Sequence, residues 1–458
     1  MLAASFVAVG SLPLAAQAPL PSLPPAIGGA PAFSLPAVRE WRLENGLTVW
    51  LAPMRGVPLV DVSLVVRGEN RSPDEESLAS IVAAVLRDGA GTRDRASIDR
   101  ALSQSTIALE SNVSPDAMSL SMHGPSTALG NALALLADLA IRPRLRTSDV
   151  ARRRTELVER TTSERSDAAA IADRVLACLV LGSASVHKGG QPTTRLTSAR
   201  VRAHHAARYR PDRAVLIVAG DFDADSARIV IAKAFGSWRG APRTTASRPG
   251  PAAKSSCAGR DIGGVRMVHV PGATQAALRA GSLAIGRNRG DVGVHDILAA
   301  LLGGPFTSRL NQALRERSGL SYGAAAEVVG GTTEGMLVMR AEADPAKADS
   351  AMALLRAELE RARTDLTPTD LSRGQQFVAF GVAESVSTSR GLASRLGMFA
   401  GLGQDALARY AASIGDATLA RLDEVAGRTL SPDRLHFVIA GDTAELGARV
   451  RAEQRQPR

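Results

Sequence analysis

Two apolar runs punctuate the chain, Ala214–Gly220 and, interrupted only by His436, Leu435–Gly441. Each is preceded by Pro-Asp-Arg, Pro211–Arg213 in the first case and Pro432–Arg434 in the second, and each is followed by an aspartate, Asp221 or Asp442. A turn leading into a short apolar run predicts a strand buried on both faces. Near the start, Trp41–Leu51 alternates apolar and polar residues about Asn45-Gly46, the signature of a β-hairpin. After it comes Ser77–Leu86, dense in Ala, Val, Ile and Leu and closed by Gly89-Ala90-Gly91, which predicts a helix.

The two buried strands belong to a longer repeat. Pro211–Asp221 matches Pro432–Asp442 at an offset of 221 residues, and Leu145–Val150 matches Leu366–Leu371 at the same offset. Both members of the second pair read as N-capped helix starts, with Ser or Thr just before Asp149 or Asp370. A looser third match aligns Ile98–Leu102 with Leu310–Leu314. The order of elements predicts an α+β layered fold of two homologous α/β repeats, each a mixed, mostly antiparallel sheet packed by helices. The expected divisions are a signal peptide over 1–18, a Pro-rich spacer over 19–36, a first repeat over 37–240, a linker over 241–260 and a second repeat over 261–450.

Composition narrows the function. Hydrophobic residues make up 45% of the 458 positions and charged residues 22%, as expected of a globular protein. The net charge of +10 rests on 55 basic residues of which only four are lysine, spread along helices. With 3% aromatics and no interleaving of rings and charges, the pattern excludes a base-stacking nucleic-acid platform. Arg152-Arg153-Arg154 is the densest basic run and reads as a solvated helix face. Met1–Ala18 has an apolar core that ends in Ala16-Gln17-Ala18, small residues at the positions a signal peptidase requires. It is too short, and too interrupted by Pro13, to span a membrane, so export to the periplasm is the expectation. Cys178 and Cys257 are the only cysteines and leave room for a single bridge.

An ordered series of motifs then resembles the pitrilysin/insulinase superfamily of inverzincin metallopeptidases. It begins with Leu43-Glu44-Asn45-Gly46-Leu47, continues with His187-Lys188-Gly189-Gly190-Gln191-Pro192, and closes the first repeat with Tyr209-Arg210-Pro211-Asp212 and Ala219-Gly220-Asp221. In the second repeat, Gly303–Leu310 is similar to the family's Gly-Gly-x-x-x-Ser-Arg-Leu, and Leu314–Tyr322 to its Leu-Arg-Glu-x-x-Gly-Leu-x-Tyr. The resemblance implies one half of a clam-shell and places the His-x-x-Glu-His zinc helix on Ser77–Leu86. Its three slots here hold Ser80, Ala83 and Ala84. Catalytic zinc needs three donor side chains and a base for its water, and alanine supplies neither. Glu159 falls near the family's third ligand, where, without its partners, it reads as a vestigial surface carboxylate.

The same family pairs zinc-bearing with zincless chains, and a zincless chain can lend an Arg and a Tyr to its partner's active site. Arg315 and Tyr322 hold those positions, while the first repeat has Ser103 at the slot of Arg315. On helix statistics alone Arg315 is a solvated position, and Tyr322 is a half-buried strand aromatic. None of the seven histidines has ligand spacing, and His295 reads as a helix-surface or capping residue. The resemblance therefore implies a non-catalytic, substrate-contacting subunit of a heterodimeric zinc metallopeptidase acting on oligopeptides. It implies no cofactor in this chain, zinc in a homologous partner and no activity for the chain alone. The alternative is an inactive peptidase-derived peptide-binding or scaffold protein.

Overall fold

The computed structural model describes residues 34–68, 73–182, 196–240, 264–442 and 444. The expected signal peptide, most of the spacer, the His187–Pro192 motif, the linker and Cys257 lie outside the described residues.

The first lobe opens with β1 (Arg39–Arg42), β2 (Thr48–Pro53) and β3 (Leu59–Arg67), then α1 (Pro73–Val85), the short pair β4 (Gly89–Ala90) and β5 (Arg93–Asp94), and α2 (Arg95–Gln104). The hairpin β6 (Ala108–Val113) and β7 (Ala117–Pro125) follows, with α3 (Leu129–Ile141), α4 (Thr147–Ser163), α5 (Ala168–Leu181) and α6 (Ser198–Arg208) before β8 (Ala214–Gly220) and α7 (Ala224–Phe235). The second lobe contains β9 (Val265–His269), β10 (Ala276–Ile285), α8 (Val292–Gly303), α9 (Arg309–Asn311), β11 (Ser321–Gly330) and β12 (Glu334–Ala343). It ends with α10 (Ala348–Arg361), α11 (Pro368–Val386), α12 (Ser389–Met398), α13 (Ala406–Gly415), α14 (Leu419–Thr429) and β13 (His436–Gly441).

The sheets run β1-β2-β8-β3-β7-β6 and β9-β13-β10-β12-β11. Apart from β1 they share one strand order, and each has one parallel pair in an otherwise antiparallel sheet, β2 with β8 and β9 with β13. The buried strands foreseen from the apolar runs are β8, buried at every position, and its counterpart β13. The hairpin is β1–β2, with Trp41 opposite Val49 and Gly46 at φ 92°, a conformation that glycine adopts at little cost. Asn45 ties this turn down by donating to the carbonyls of Phe235 and Trp238.

Helix capping differs between the repeats. α11 has a full capping box from Thr367 and Asp370, whereas α4 starts after Arg146 with no side-chain cap, and Thr147 lies inside the helix. The expectation of equivalent caps holds only for the second repeat, and there the capping side chain is Thr367, two residues before Thr369.

Each lobe buries one face of its sheet on a helix of the other. Ala172, Leu176 and Ala177 of α5 pack with Val338 and Val438 of the second sheet, and Asp173 receives the buried Arg279 at 2.7 Å and Arg340 at 3.0 Å. Reciprocally, Leu392 and Leu396 of α12 share a core with Trp50, Val65 and Ile217 of the first sheet. The opposite face of the first sheet, with Met118, Leu120 and Met122, packs against α1 and α3.

Candidate functional site

Arg315 sits on a π-helical turn, Gln312–Arg317, that continues α9, a geometry found often at functional positions. The turn ends at Gly319, whose φ of 57° lets its N–H reach the Arg315 carbonyl at 3.0 Å. β11 then begins with a register shift between Ser321 and Ala324, which throws Tyr322 outward. The Tyr322 side chain is 88% exposed, so the expectation of a half-buried aromatic is corrected: the bulge breaks the strand alternation at that residue. The Arg315 guanidinium lies between two rings, 5.3 Å from the centroid of Tyr322 and 4.7 Å from that of the exposed Phe306. Stacking of this kind restrains a long side chain at a solvent-facing site.

One residue that sequence reasoning missed positions the pair. Asn311 is buried and both donates to and accepts from the backbone of Ala324, at 2.7 and 2.9 Å, while its amide also reaches the Pro305 carbonyl and Ser308 Oγ. The Gly-rich loop, the π turn and the start of β11 are thereby one frame. Arg309 adds a brace from the same motif to Asp365 and Asp370 at the start of α11. No local signal marks Asn311, since Arg309 and Gln312 beside it are also polar and its partners lie 13 residues on in β11.

The residues at the zinc slots do not fit a zinc ion. Ala83 is buried, Ser80 and Ala84 are half-buried, and Glu159 is an exposed residue of α4. Among the described residues no group of three or more His, Cys, Asp or Glu side chains is placed to hold a metal ion. Beside Ala83 and Ala84 lies a cavity of about 340 Å³ whose ionisable lining residues, among those described, are Arg87, Arg95 and Arg153. Arg153 grips the buried Asp88 with Nε at 2.8 Å and Nη2 at 2.7 Å, and Arg152 reaches it at 3.0 Å. These hydrogen bonds to Asp88 hold both guanidiniums above the ordinary arginine value, and the bond from Arg153 lowers Glu156. The reading of Arg152-Arg153-Arg154 as a wholly solvated face is thus corrected. Arg154 is exposed, but Arg153 turns inward because Asp88 at the end of α1 would otherwise be a buried, uncompensated charge.

A second and larger cavity, about 750 Å³, lies between the first sheet and α12, with Asp61, His123, Glu110, Asp116, Arg287 and Arg390 among its lining. Asp61 is buried and takes hydrogen bonds from His123 Nδ1 at 3.0 Å and Ser389 Oγ at 2.6 Å. Asp116, between β6 and β7, meets Arg287 at 3.3 Å and the Thr332 backbone N–H, joining the hairpin tips of the two lobes. His295 is buried rather than on the helix surface, its Nδ1 at 3.1 Å from the Asp291 carbonyl, because α8 is enclosed on nearly all sides; burial lowers its pKa.

The family described as Peptidase M16 inactive domain matches residues 195–377, a span that contains the Gly-rich loop, the π turn and Tyr322. Over that span the chain is similar to the M16 peptidases. The matched domain is described as the inactive one, and the slots on α1, outside the matched span, are poor in metal donors. Among curated proteins, a zinc protease of Mycobacterium tuberculosis is 28% identical over 278 residues, 58% of this chain and 61% of that protein. One from Mycobacterium leprae is 30% identical over 200 residues, 42% of this chain and 43% of that protein. The chain thus aligns with less than two thirds of either relative. Among solved structures, a protease from Helicobacter pylori superposes with a TM-score of 0.80 at 17% identity, over 89% of this chain and 100% of that one. A peptidase M16 inactive domain from Pseudomonas fluorescens gives 0.76 at 19% identity, over 89% and 98%. At such identities these likenesses speak to the fold, a clam-shell half built of mixed sheets packed by helices.

Proposed function

We propose that this chain is the non-catalytic, substrate-contacting subunit of a heterodimeric M16 peptidase that acts on oligopeptides. The observation that carries the reading is the Arg315–Tyr322 pair. Both groups are preorganised by the Asn311 frame, and the tyrosine, its ring against Arg315, projects into solvent. A neutral phenol and a permanently charged guanidinium are suited to donate to a carbonyl oxygen that gains negative charge. The partner would supply zinc, which polarises the peptide carbonyl and generates the attacking hydroxide. This chain's part is to hold the two donors where that oxygen develops charge. Peptide contact is supported by β6, the outer strand of the first sheet, which can pair with an extended segment. Export is part of the proposal. Cys178 is disulfide-bonded, which suits an oxidising compartment.

The test is reconstitution with a homologous zinc-bearing subunit, followed by peptide hydrolysis. Tyr322→Phe keeps the ring over Arg315 and removes only the donor, so it should lower kcat by roughly 10- to 1,000-fold with heterodimer formation intact. Arg315→Ala should do the same. A change confined to KM would place the pair in ground-state binding, and unchanged kinetics for both variants would favour a scaffold.

A further inference from the structure

The cavity beside Ala83 and Ala84 has the features of a site that has exchanged one chemistry for another. Its floor is apolar, from Ala83 and Ala84 on α1, and one wall is β6, through Ser111. The charged groups facing it are Arg87, Arg95 and Arg153, and among the described lining residues there is no carboxylate. The acidic partners lie behind the guanidiniums. Asp88, with 1% of its side chain exposed, fixes Arg153 from the rear, and Asp99 lies 3.5 Å from Arg87 and 3.7 Å from Arg95.

The hydrogen-bond accounting leaves donors over. Arg153 spends Nε and one N–H of Nη2 on Asp88 and one of Nη1 on Glu156 at 2.7 Å, so two of its five N–H groups are uncommitted. Arg95 meets its carboxylates only at 3.6 and 3.7 Å, beyond hydrogen-bond range, and Arg87 makes one long contact of 3.5 Å. Electrostatic attraction falls with distance, so an anion inside the cavity meets guanidiniums at contact range and carboxylates only behind them. An anion with an apolar body matches such a lining. The volume of about 340 Å³, at the small end of ligand pockets, admits one or two amino-acid residues and not a folded chain.

We infer that the vestigial zinc pocket is an anion site that receives the C-terminal carboxylate of a peptide lying along β6. The arginines replace a Lewis acid that cuts the chain with a clamp that holds its end. The inference takes from the proposed function only that the protein meets peptides, and needs neither a partner nor the Arg315–Tyr322 pair.

Isothermal titration calorimetry on the full chain at low salt decides it, using an N-acetylated, leucine-rich hexapeptide as the free acid and as the C-terminal amide. The free acid should bind at least about tenfold tighter, the order expected of charge-assisted contacts. Arg87→Gln and Arg95→Gln remove half-exposed side chains and leave the close contacts of Arg152 and Arg153 with Asp88 in place, Arg95 meeting that carboxylate only at 3.6 Å, and each should weaken the free acid several-fold while leaving the amide unchanged. Ala84→Asp, which supplies an anion of the chain's own, should abolish the preference. Undetectable binding of the free acid, equal affinity for acid and amide, or insensitivity to both arginine variants would overturn the site. Recovery of full affinity by an amide carrying an internal glutamate would overturn the assignment to the chain terminus. None of these outcomes depends on peptidase activity, so failure here is separable from failure of the heterodimer reading.

Discussion

Asp296 offers a sharp test of the energetics inside the second lobe. Its carboxyl faces a cavity of about 60 Å³ and accepts a hydrogen bond from Tyr410 Oη at 2.6 Å, with Arg395 and Arg287 nearby. Burial dominates and pushes the group up to about 6 from its ordinary 3.8. A carboxyl with a raised folded pKa contributes its full stability below 3.8 and loses it as pH rises through about 6. At about 1.4 kcal/mol per pH unit, the ionised form costs the fold about 3 kcal/mol at pH 8, taken as a ceiling. Asp296→Asn keeps the shape and the acceptor for Tyr410 but never ionises. Urea unfolding of both proteins between pH 4 and pH 8 should therefore show the variant more stable by roughly 1–3 kcal/mol at pH 8, with the gap closing towards pH 4. Comparing the two proteins at each pH cancels every other titrating group. A gap that is constant with pH, or a variant that is less stable at pH 8, would refute the assignment of Asp296 as a carboxylate strained by burial.

Other consequences are as direct. The isolated chain should carry no stoichiometric zinc after chelator-free purification, checked by elemental analysis, since alanines and an arginine-lined cavity occupy the ligand positions. Asn311→Ala should cost about 2–4 kcal/mol in urea unfolding, because the Ala324 backbone groups lose their partners. Arg279→Ala should cost about 1–3 kcal/mol, since it removes a buried guanidinium that links the lobes while Asp173 keeps Arg340 and Glu342 is partly exposed. N-terminal sequencing of exported protein should begin at or near Pro19, and retention of Met1 in the cytoplasm would refute export.

Much of the architecture is legible in the residues because it is local. The Asn45-Gly46 turn, the wholly apolar β8 and the Pro-Asp-Arg lead into it each follow from short-range chemistry, and the 221-residue offset exposes the duplication. That positions 83 and 84 supply no metal donor is legible without any coordinates. What stays hidden is long-range pairing. Nothing in the run Arg152-Arg153-Arg154 tells which guanidinium turns inward, because that depends on Asp88, 65 residues away. Tyr322 looks like an ordinary strand aromatic until the bulge after Ser321 is known. Asn311 shows its role only once β11 folds back on it, and the exchange of α5 and α12 between lobes leaves no trace in periodicity, since an apolar helix face does not name the sheet it covers.

That exchange makes the two lobes interlocked in a mechanical sense. A protease that nicked the connecting segment would leave two pieces still gripping each other, each holding a helix that the other needs to cover its sheet. Expressed apart, each piece would present a bare apolar sheet face to water and offer a stray helix to whatever surface it met. The duplication that built the chain thus became irreversible at the level of folding. Neither copy covers its own sheet unaided, so the two are kept or lost together as one inheritable unit.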